Sequence, residues 1–161
     1  MIIRSAEADD WPRIWPFFRK IVEAGDTYAY PDGLTVVSAR SLWMEEPPGQ
    51  TVVAVHDDVI VGSAKMGPNR PGRGAHVATA SFMVDPSSHR KGVGRTLGEY
   101  VVDWARGAGY RSMQFNAVVE TNVGAVALWE SLGFEILATV PEAFESRTHG
   151  LVGLHLMYRT L

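Results

Sequence analysis

Apolar residues in this chain recur with two different periods, and the switch between them marks out its elements. After a short apolar start at Ile2 and Ile3, the residues Ile14, Phe17, Phe18, Ile21 and Val22 follow the three-and-four spacing of one helical face. Asp9 or Asp10 can cap that helix, with Pro12 in its first turn, while Pro16 either kinks it or marks its true start. The turn-rich "YPDG" precedes a second predicted helix, opened by Thr35 or Ser38, running through Trp43 and ended by Pro47 and Pro48. "TVVAV" and "VIVGSAKM" read as two strands joined at "HDD", a predicted hairpin. "GPNRPGRG" is a loop leading into "AHVATASFMV", a long strand ending near Asp85 and Pro86.

The second half is more regular. From Val93, the residues Leu97, Val101, Trp104, Ala105 and Ala108 share a helical face, and Gly107 or Gly109 supplies the stop. "RSMQFNAVV" predicts a strand, and Thr121 or Asn122 caps a further helix carrying Ala125, Leu128, Trp129 and Leu132, with Gly133 just past its end. Closing strands at about 134–140 and 151–160 complete the order βααβββαβαββ. Early hairpins and a late strand–helix–strand crossover predict an α+β fold: three layers, with helices on both faces of a mixed, mostly antiparallel sheet.

Composition narrows the function classes. A chain of 161 residues, 46% hydrophobic and 20% charged, has the size and balance of one domain, residues 1–161. The formal charge of −3 argues against a nucleic-acid partner. The absence of cysteine excludes disulfides, thiol nucleophiles and thiolate metal sites. His56, His149 and His155 lack metal-ligand spacing, so no metal is expected. No apolar run reaches the ~18 residues of a membrane span, which leads to the expectation of a soluble, cytoplasmic protein without a membrane partner.

The segment "SSHRKGVGRTLGEY" carries the clearest chemistry. His89, Arg90 and Lys91 run into Gly92 and Gly94 at the start of a predicted helix, where glycine-turn amides, free helix N–H groups and positive charge favour a phosphate. With Gly98 the spacing is GxGxxxG rather than the dinucleotide GxGxxG, and no acidic ribose partner follows at about 20 residues. The nucleoside-triphosphate loop GxxxxGK[ST] is absent too.

The stretch from "SFMVDPSSHRKGVGRTLGEY" to "NAVVETNVGAVALWESLGF" resembles the GCN5-related N-acetyltransferases (GNAT), and the order of elements agrees along the whole chain. Within them, "FNAVVETNVGAVALWESLGF" and "PNRPGRGAHVATASFMV" are similar to the group that acetylates small amino acids or proline-like analogues. The resemblance implies that acetyl-CoA is the cosubstrate. Its pyrophosphate would lie on Arg90, Lys91, Gly92, Val93, Gly94 and Arg95, with His89 standing where Gln or Arg is usual. It also implies that Phe82, Met83 and Val84 offer strand-edge backbone to the pantetheine amides. Asn116 would contact the substrate or the reacting carbonyl, and Asn122 would support the coenzyme, cap the helix, or do both. The partners so implied are a small-molecule amine and a second copy of the chain, in a homodimer through the closing strands or first helices.

The chemistry needs a free-base amine, stabilisation of negative charge on the thioester oxygen, and exit of a thiolate. Trp129 occupies the place where many members of the superfamily carry a tyrosine acid, and an indole N–H is far too weak an acid for that role. Catalysis by positioning and carbonyl polarisation is therefore expected, with Trp129 as a wall near the thiol end or as plain core. The N–H of Met83 or Val84 and the amide of Asn116 are the oxyanion candidates. Thr79 stands where the narrower group often has Asn, Glu120 and His76 are candidate bases, and Tyr28, Tyr30, Arg70, Arg73, Phe144 and Arg147 lie on loops that can shape an acceptor site. Two other functions fit less of this pattern: a noncatalytic acyl-CoA sensor, and acetylation of protein or antibiotic amines.

Overall fold

The computed structural model describes residues 1–88 and 91–161. Its elements are β1 (Ile2–Ser5), α1 (Trp11–Ala24), α2 (Val36–Trp43), β2 (Gln50–His56), β3 (Val59–Pro68), β4 (Val77–Val84), α3 (Val93–Gly107), β5 (Ser112–Val119), α4 (Val123–Ser131), β6 (Glu135–Ser146) and β7 (Gly150–Thr160). Among the described residues, seven strands form one sheet in the order β1-β2-β3-β4-β5-β7-β6, antiparallel throughout except for β4 and β5. This is the three-layer α+β architecture and element order expected from the sequence.

Local chemistry accounts for the boundaries. Thr35 caps α2 by accepting from the Ser38 N–H at 3.1 Å, and Ser38 Oγ accepts from the Thr35 N–H at 2.9 Å, so both candidate caps belong to one box. The β2–β3 hairpin turns on Asp57 and Asp58 at φ 48° and 60°, the left-handed pair of a two-residue primed turn. Gly109, at φ 83°, ends α3 in a Schellman motif: Tyr110 N–H reaches Ala105 O at 3.0 Å and Gly109 N–H reaches Arg106 O at 3.0 Å. Helix α1 runs through Pro16, which forgoes only a bond to the carbonyl of Pro12 in the first turn. Asp10 does not cap it through its side chain.

That carboxylate, on a residue only 4% exposed, instead accepts from Arg4 at 2.6 and 2.8 Å and from the Glu7 N–H at 2.8 Å. The Arg4 hydrogen bond, helped by the Glu7 amide, holds its pKa below the usual carboxylate value. A depressed carboxylate stabilises the fold above its unfolded pKa and loses that contribution as pH falls through the folded one. Asp10→Asn is therefore expected to destabilise by about 1–3 kcal/mol at pH 7. In urea titrations its deficit should shrink below about pH 4, whereas a deficit independent of pH would sink this account.

The strands alternate between two cores. Val52, Ala54, Ala64, Ala78 and Met113 face α3 and α4, whereas Val53, Ile60 and Met83 face α1 and α2 with Phe18 and Trp43. The last hairpin is longer than the expected 134–140. Pro141 sits in edge strand β6, where a missing N–H is tolerated, and Glu142 at φ 51° forms an irregularity between Val140 and Phe144 before pairing resumes.

Candidate active site

Strands β4 and β5 are parallel neighbours at only two positions, Val77 with Ser112 and Ala78 with Met113. Beyond them the strands part, and β5 is itself irregular against β7 between Phe115 and Val118, so that Asn116 and Ala117 leave the ladder. The gap is a cleft of about 560 Å³. It starts beside Gly94 at the head of α3, passes Val84, Ala125 and Leu128, and reaches Phe82, Trp129, Asn116, Thr79 and the loop residues Thr27, Tyr28 and Tyr30.

At its entrance Gly92 adopts φ 84°, with open space where a Cβ would point, and its carbonyl accepts from the Thr96 N–H at 2.9 Å. Helical geometry aims the N–H groups of Val93, Gly94 and Arg95 outward, an arrangement suited to a pyrophosphate. Lys91 is exposed beside it, while the Arg95 guanidinium donates to Ser131 at 2.8 Å and lies 3.6 Å from Glu99. His89 and Arg90 lie outside the described residues. The third glycine of the segment serves packing: a Cβ on Gly98 would lie 2.7 Å from Leu132 Cδ1 and 2.9 Å from Trp129 Cζ3, so this glycine lets α4 seat Trp129 against α3.

Strand parity decides which β4 groups face the gap. The Asp85 N–H donates to Val61 O at 3.0 Å, so the backbone of Met83, in register with Ser63, also points at β3. The Met83 side chain, 2% exposed, packs with the α1–α2 core. The structure therefore does not bring Met83, expected as an oxyanion donor, to the cleft. The open-edge groups belong to Phe82 and Val84, and those of Phe82 already have a partner: Tyr28 Oη accepts from the Phe82 N–H at 2.9 Å and donates to Phe82 O at 2.5 Å.

Asn116 is held by two amides that sequence reasoning missed. Its Oδ1 accepts from Gln114 Nε2 at 2.8 Å and its Nδ2 donates to Asn69 Oδ1 at 2.6 Å, which leaves one Nδ2 hydrogen uncommitted by these bonds. Asn69 belongs to the "GPNRPGRG" loop, far away in sequence, and nothing local announces the contact. Asn122 caps α4 as expected, accepting from the Ala125 N–H at 3.4 Å, and it also lines the cleft. Ser81 and Thr27 are further lining hydroxyls that were missed, although alternation along "TASF" places Ser81 on the face of Thr79.

Trp129, 7% exposed, is a wall of the cleft and part of an aromatic cluster, with ring centroids 4.5 Å from Phe82, 5.0 Å from Phe115 and 6.3 Å from Phe134. Neither candidate base is there: the Glu120 carboxylate accepts from the Gly153 N–H at 2.5 Å, and neither Glu120 nor His76 lines the cleft. Among the described residues the lining contains no Asp, Glu, His, Lys or Arg. Its two titratable groups are phenols pushed up by burial, Tyr28 strongly and Tyr30 to about 12 with help from Glu45. Nor do the described residues include a cluster able to hold a metal ion.

An open strand edge beside a glycine turn at a helix N-terminus is what the sequence resemblance implies, and the parting of β4 and β5 is what opens that edge. A model of the acetyltransferase (GNAT) family matches residues 8–134. The chain belongs to this family, whose chemistry is acetyl-CoA-dependent N-acetylation. It is 58% identical to the solved GCN5-related N-acetyltransferase from Kribbella flavida, with a TM-score of 0.96 over 99% of this chain and 97% of that one. A phosphinothricin acetyltransferase (Pat) from Sinorhizobium meliloti, solved in complex with AcCoA, shares the fold at 22% identity and TM-score 0.87, over 99% and 88% of the two chains. N-acetyltransferase aca1 of Schizosaccharomyces pombe is 34% identical over 90 residues, 56% of this chain and 43% of that relative. The chain thus spans less than half the length of this curated relative. No helix among the described residues is long and apolar enough to cross a membrane.

Proposed function

We propose that the protein acetylates the amine of a small molecule, an amino acid or close analogue, by direct attack while both substrates are bound. The observation carrying this reading is the inner end of the cleft, where Asn116, Thr79, Ser81, Tyr28 and Tyr30 supply amide, hydroxyl and aromatic walls with no charged side chain among the described residues. The fold shared with a phosphinothricin acetyltransferase supports the same acceptor class. Leu137, Val140 and Leu151 leave exposed apolar side chains on the outer β6–β7 hairpin, the surface available for the expected homodimer.

Acetyl-CoA supplies an activated acetyl thioester. The α3 turn from Lys91 to Arg95 holds its anionic end, and the Val84 backbone, free on the β4 edge, pairs with an amide of its arm. Asn116, fixed by Gln114 and Asn69, presents an N–H to the oxygen on which negative charge grows, and Trp129, Phe82 and Phe115 exclude water there. The amine lone pair forms the C–N bond, the C–S bond breaks with its electrons leaving on sulfur, and water carries the proton from nitrogen to the thiolate.

With no described carboxylate or imidazole in the lining, the acceptor has to arrive as its free base. The logarithm of kcat/KM is expected to rise with unit slope up to the acceptor's own amine pKa, and the plateau should move when the acceptor is changed. Acceptor-dependent thiol release, followed with a panel of amino acids and proline-like amines, tests both points. Tight coenzyme binding without acceptor-stimulated release would establish a sensor instead, and a pH midpoint indifferent to the acceptor would require a base on the protein.

A further inference from the structure

Helix α1 ends against a segment from the far end of the chain. Gly25, at φ 70°, closes the helix, and its carbonyl accepts from the Arg147 N–H at 2.9 Å. A Cβ on Gly25 would lie 3.0 Å from Arg147 Nε and 3.1 Å from Arg147 Cβ, so the glycine admits the tip of the β6–β7 hairpin at close range. Asp26 then takes three hydrogen bonds from that tip. Its Oδ1 accepts from Ser146 Oγ at 2.7 Å and from the Thr148 N–H at 2.9 Å, and its Oδ2 accepts from Thr148 Oγ1 at 2.7 Å. Ser146, 2% exposed, is itself fixed by accepting from the His149 N–H at 3.0 Å. The Thr148 and Ser146 bonds pull the Asp26 carboxyl down to about 2, so near neutral pH the clamp is ionised and its bonds are charge-assisted.

The residues that follow the clamp are a wall of the cleft. Thr27, Tyr28, Ala29 and Tyr30 all line it, within a connection between α1 and α2 that has no helix or strand of its own. The Tyr28 and Tyr30 rings lie parallel at 5.6 Å and rest on Trp43 and Phe18 from the core side. An irregular segment has to be ordered by contacts outside itself, because fixing its backbone costs conformational entropy. The hairpin has the same need: Glu135–Ala143 of β6 are exposed, and burial returns only at Phe144 and Ser146, next to the clamp.

We propose that Asp26 is a positioning residue that locks the α1–α2 connection to the tip of the β6–β7 hairpin and so holds Thr27, Tyr28 and Tyr30 in place as the acceptor wall. This rests on the reading of the inner end of the cleft as the acceptor site. The acceptor then meets a wall already formed, and the cost of ordering it is not added at binding. Asp26→Ala in the full chain is expected to raise the acceptor KM at least about ten-fold, with kcat within about three-fold and the Kd of coenzyme A within about two-fold, the pattern of binding lost on the acceptor side alone. Thr148→Val removes one of the three donors from a residue outside the cleft lining and should raise KM by less. Coenzyme affinity lost in step with the acceptor KM would overturn the proposal, because a general loosening of the fold does not select one substrate.

Amide hydrogen exchange separates the clamp from the site. In Asp26→Ala the Arg147 N–H, bonded to Gly25 O, should exchange at least about ten-fold faster, while the amides of β3 stay within about two-fold. Unchanged exchange at Arg147 overturns the clamp and leaves the acceptor reading standing. Faster exchange with an unmoved KM means that this wall does not meet the acceptor, and removes that reading and the proposal together. A chain without cysteine also allows the link to be restored covalently. With Asp26→Cys and Thr148→Cys combined, the reduced protein should show the raised KM and the oxidised protein should return to within about three-fold of wild type, a recovery that a misfolded variant would not make. A bridge confirmed by mass spectrometry with KM still raised would overturn the proposal.

Discussion

Replacing Trp129 with alanine is expected to destabilise the protein by about 3–5 kcal/mol, the range for removing a large aromatic from a packed core. The indole is held on several sides at once, by the rings of Phe82, Phe115 and Phe134 and by the backbone of α3 at Gly98. Gly98 can move little toward the space left behind, so much of the cavity should persist. Urea unfolding measures the loss directly. The same contact predicts that Gly98→Ala costs about 1–3 kcal/mol by overpacking, and that its cost shrinks in the Trp129→Ala background, where one of its two obstacles is gone. A loss at Trp129 below 1 kcal/mol, or strict additivity with Gly98, would show that this helix contact is looser than the geometry indicates.

The second large effect is catalytic. Asn116→Ala is expected to lower kcat by about 10²-fold, as for other single donors to a developing oxyanion, while coenzyme affinity stays within two-fold. Asp at the same position should be no better, because a carboxylate accepts but does not donate. Asn69→Ala, which removes the acceptor that orients the Asn116 amide at 2.6 Å, should give a smaller loss of kcat in the same direction. Steady-state kinetics paired with calorimetric binding separates the two quantities, and retained turnover in Asn116→Ala would take this residue out of the mechanism.

Much of this picture is legible in the sequence, in proportion to how local its causes are. Helix faces, the reciprocal Thr35–Ser38 cap, the Asp57–Asp58 turn and the Gly109 stop each depend on a few neighbouring residues, and they lie where periodicity and turn chemistry place them. The far half of β6 was not legible, because Pro141 and the positive φ of Glu142 carry the marks of a loop, although an edge strand absorbs both. The candidate site divides in the same way. The glycine turn and the Asn122 cap follow from their own segments. Met83 was misplaced because the direction of its N–H depends on register with β3, which the sequence of β4 alone does not contain. The amide chain from Gln114 through Asn116 to Asn69, and the reach of Tyr28 to Phe82, join segments far apart in the chain and exist only in the folded form.

The proposed function comes down to one claim, that the gap where β4 and β5 part serves as the coenzyme channel, with the anion at the α3 turn and the reacting carbonyl at Asn116. A crystal structure of the complex with coenzyme A tests it most directly. The account predicts the pyrophosphate on the N–H groups of residues 92–95, a pantetheine amide paired with Val84, and the sulfur between Trp129 and Asn116. Coenzyme bound along any other strand edge, or a sulfur pointing away from Asn116, would contradict it.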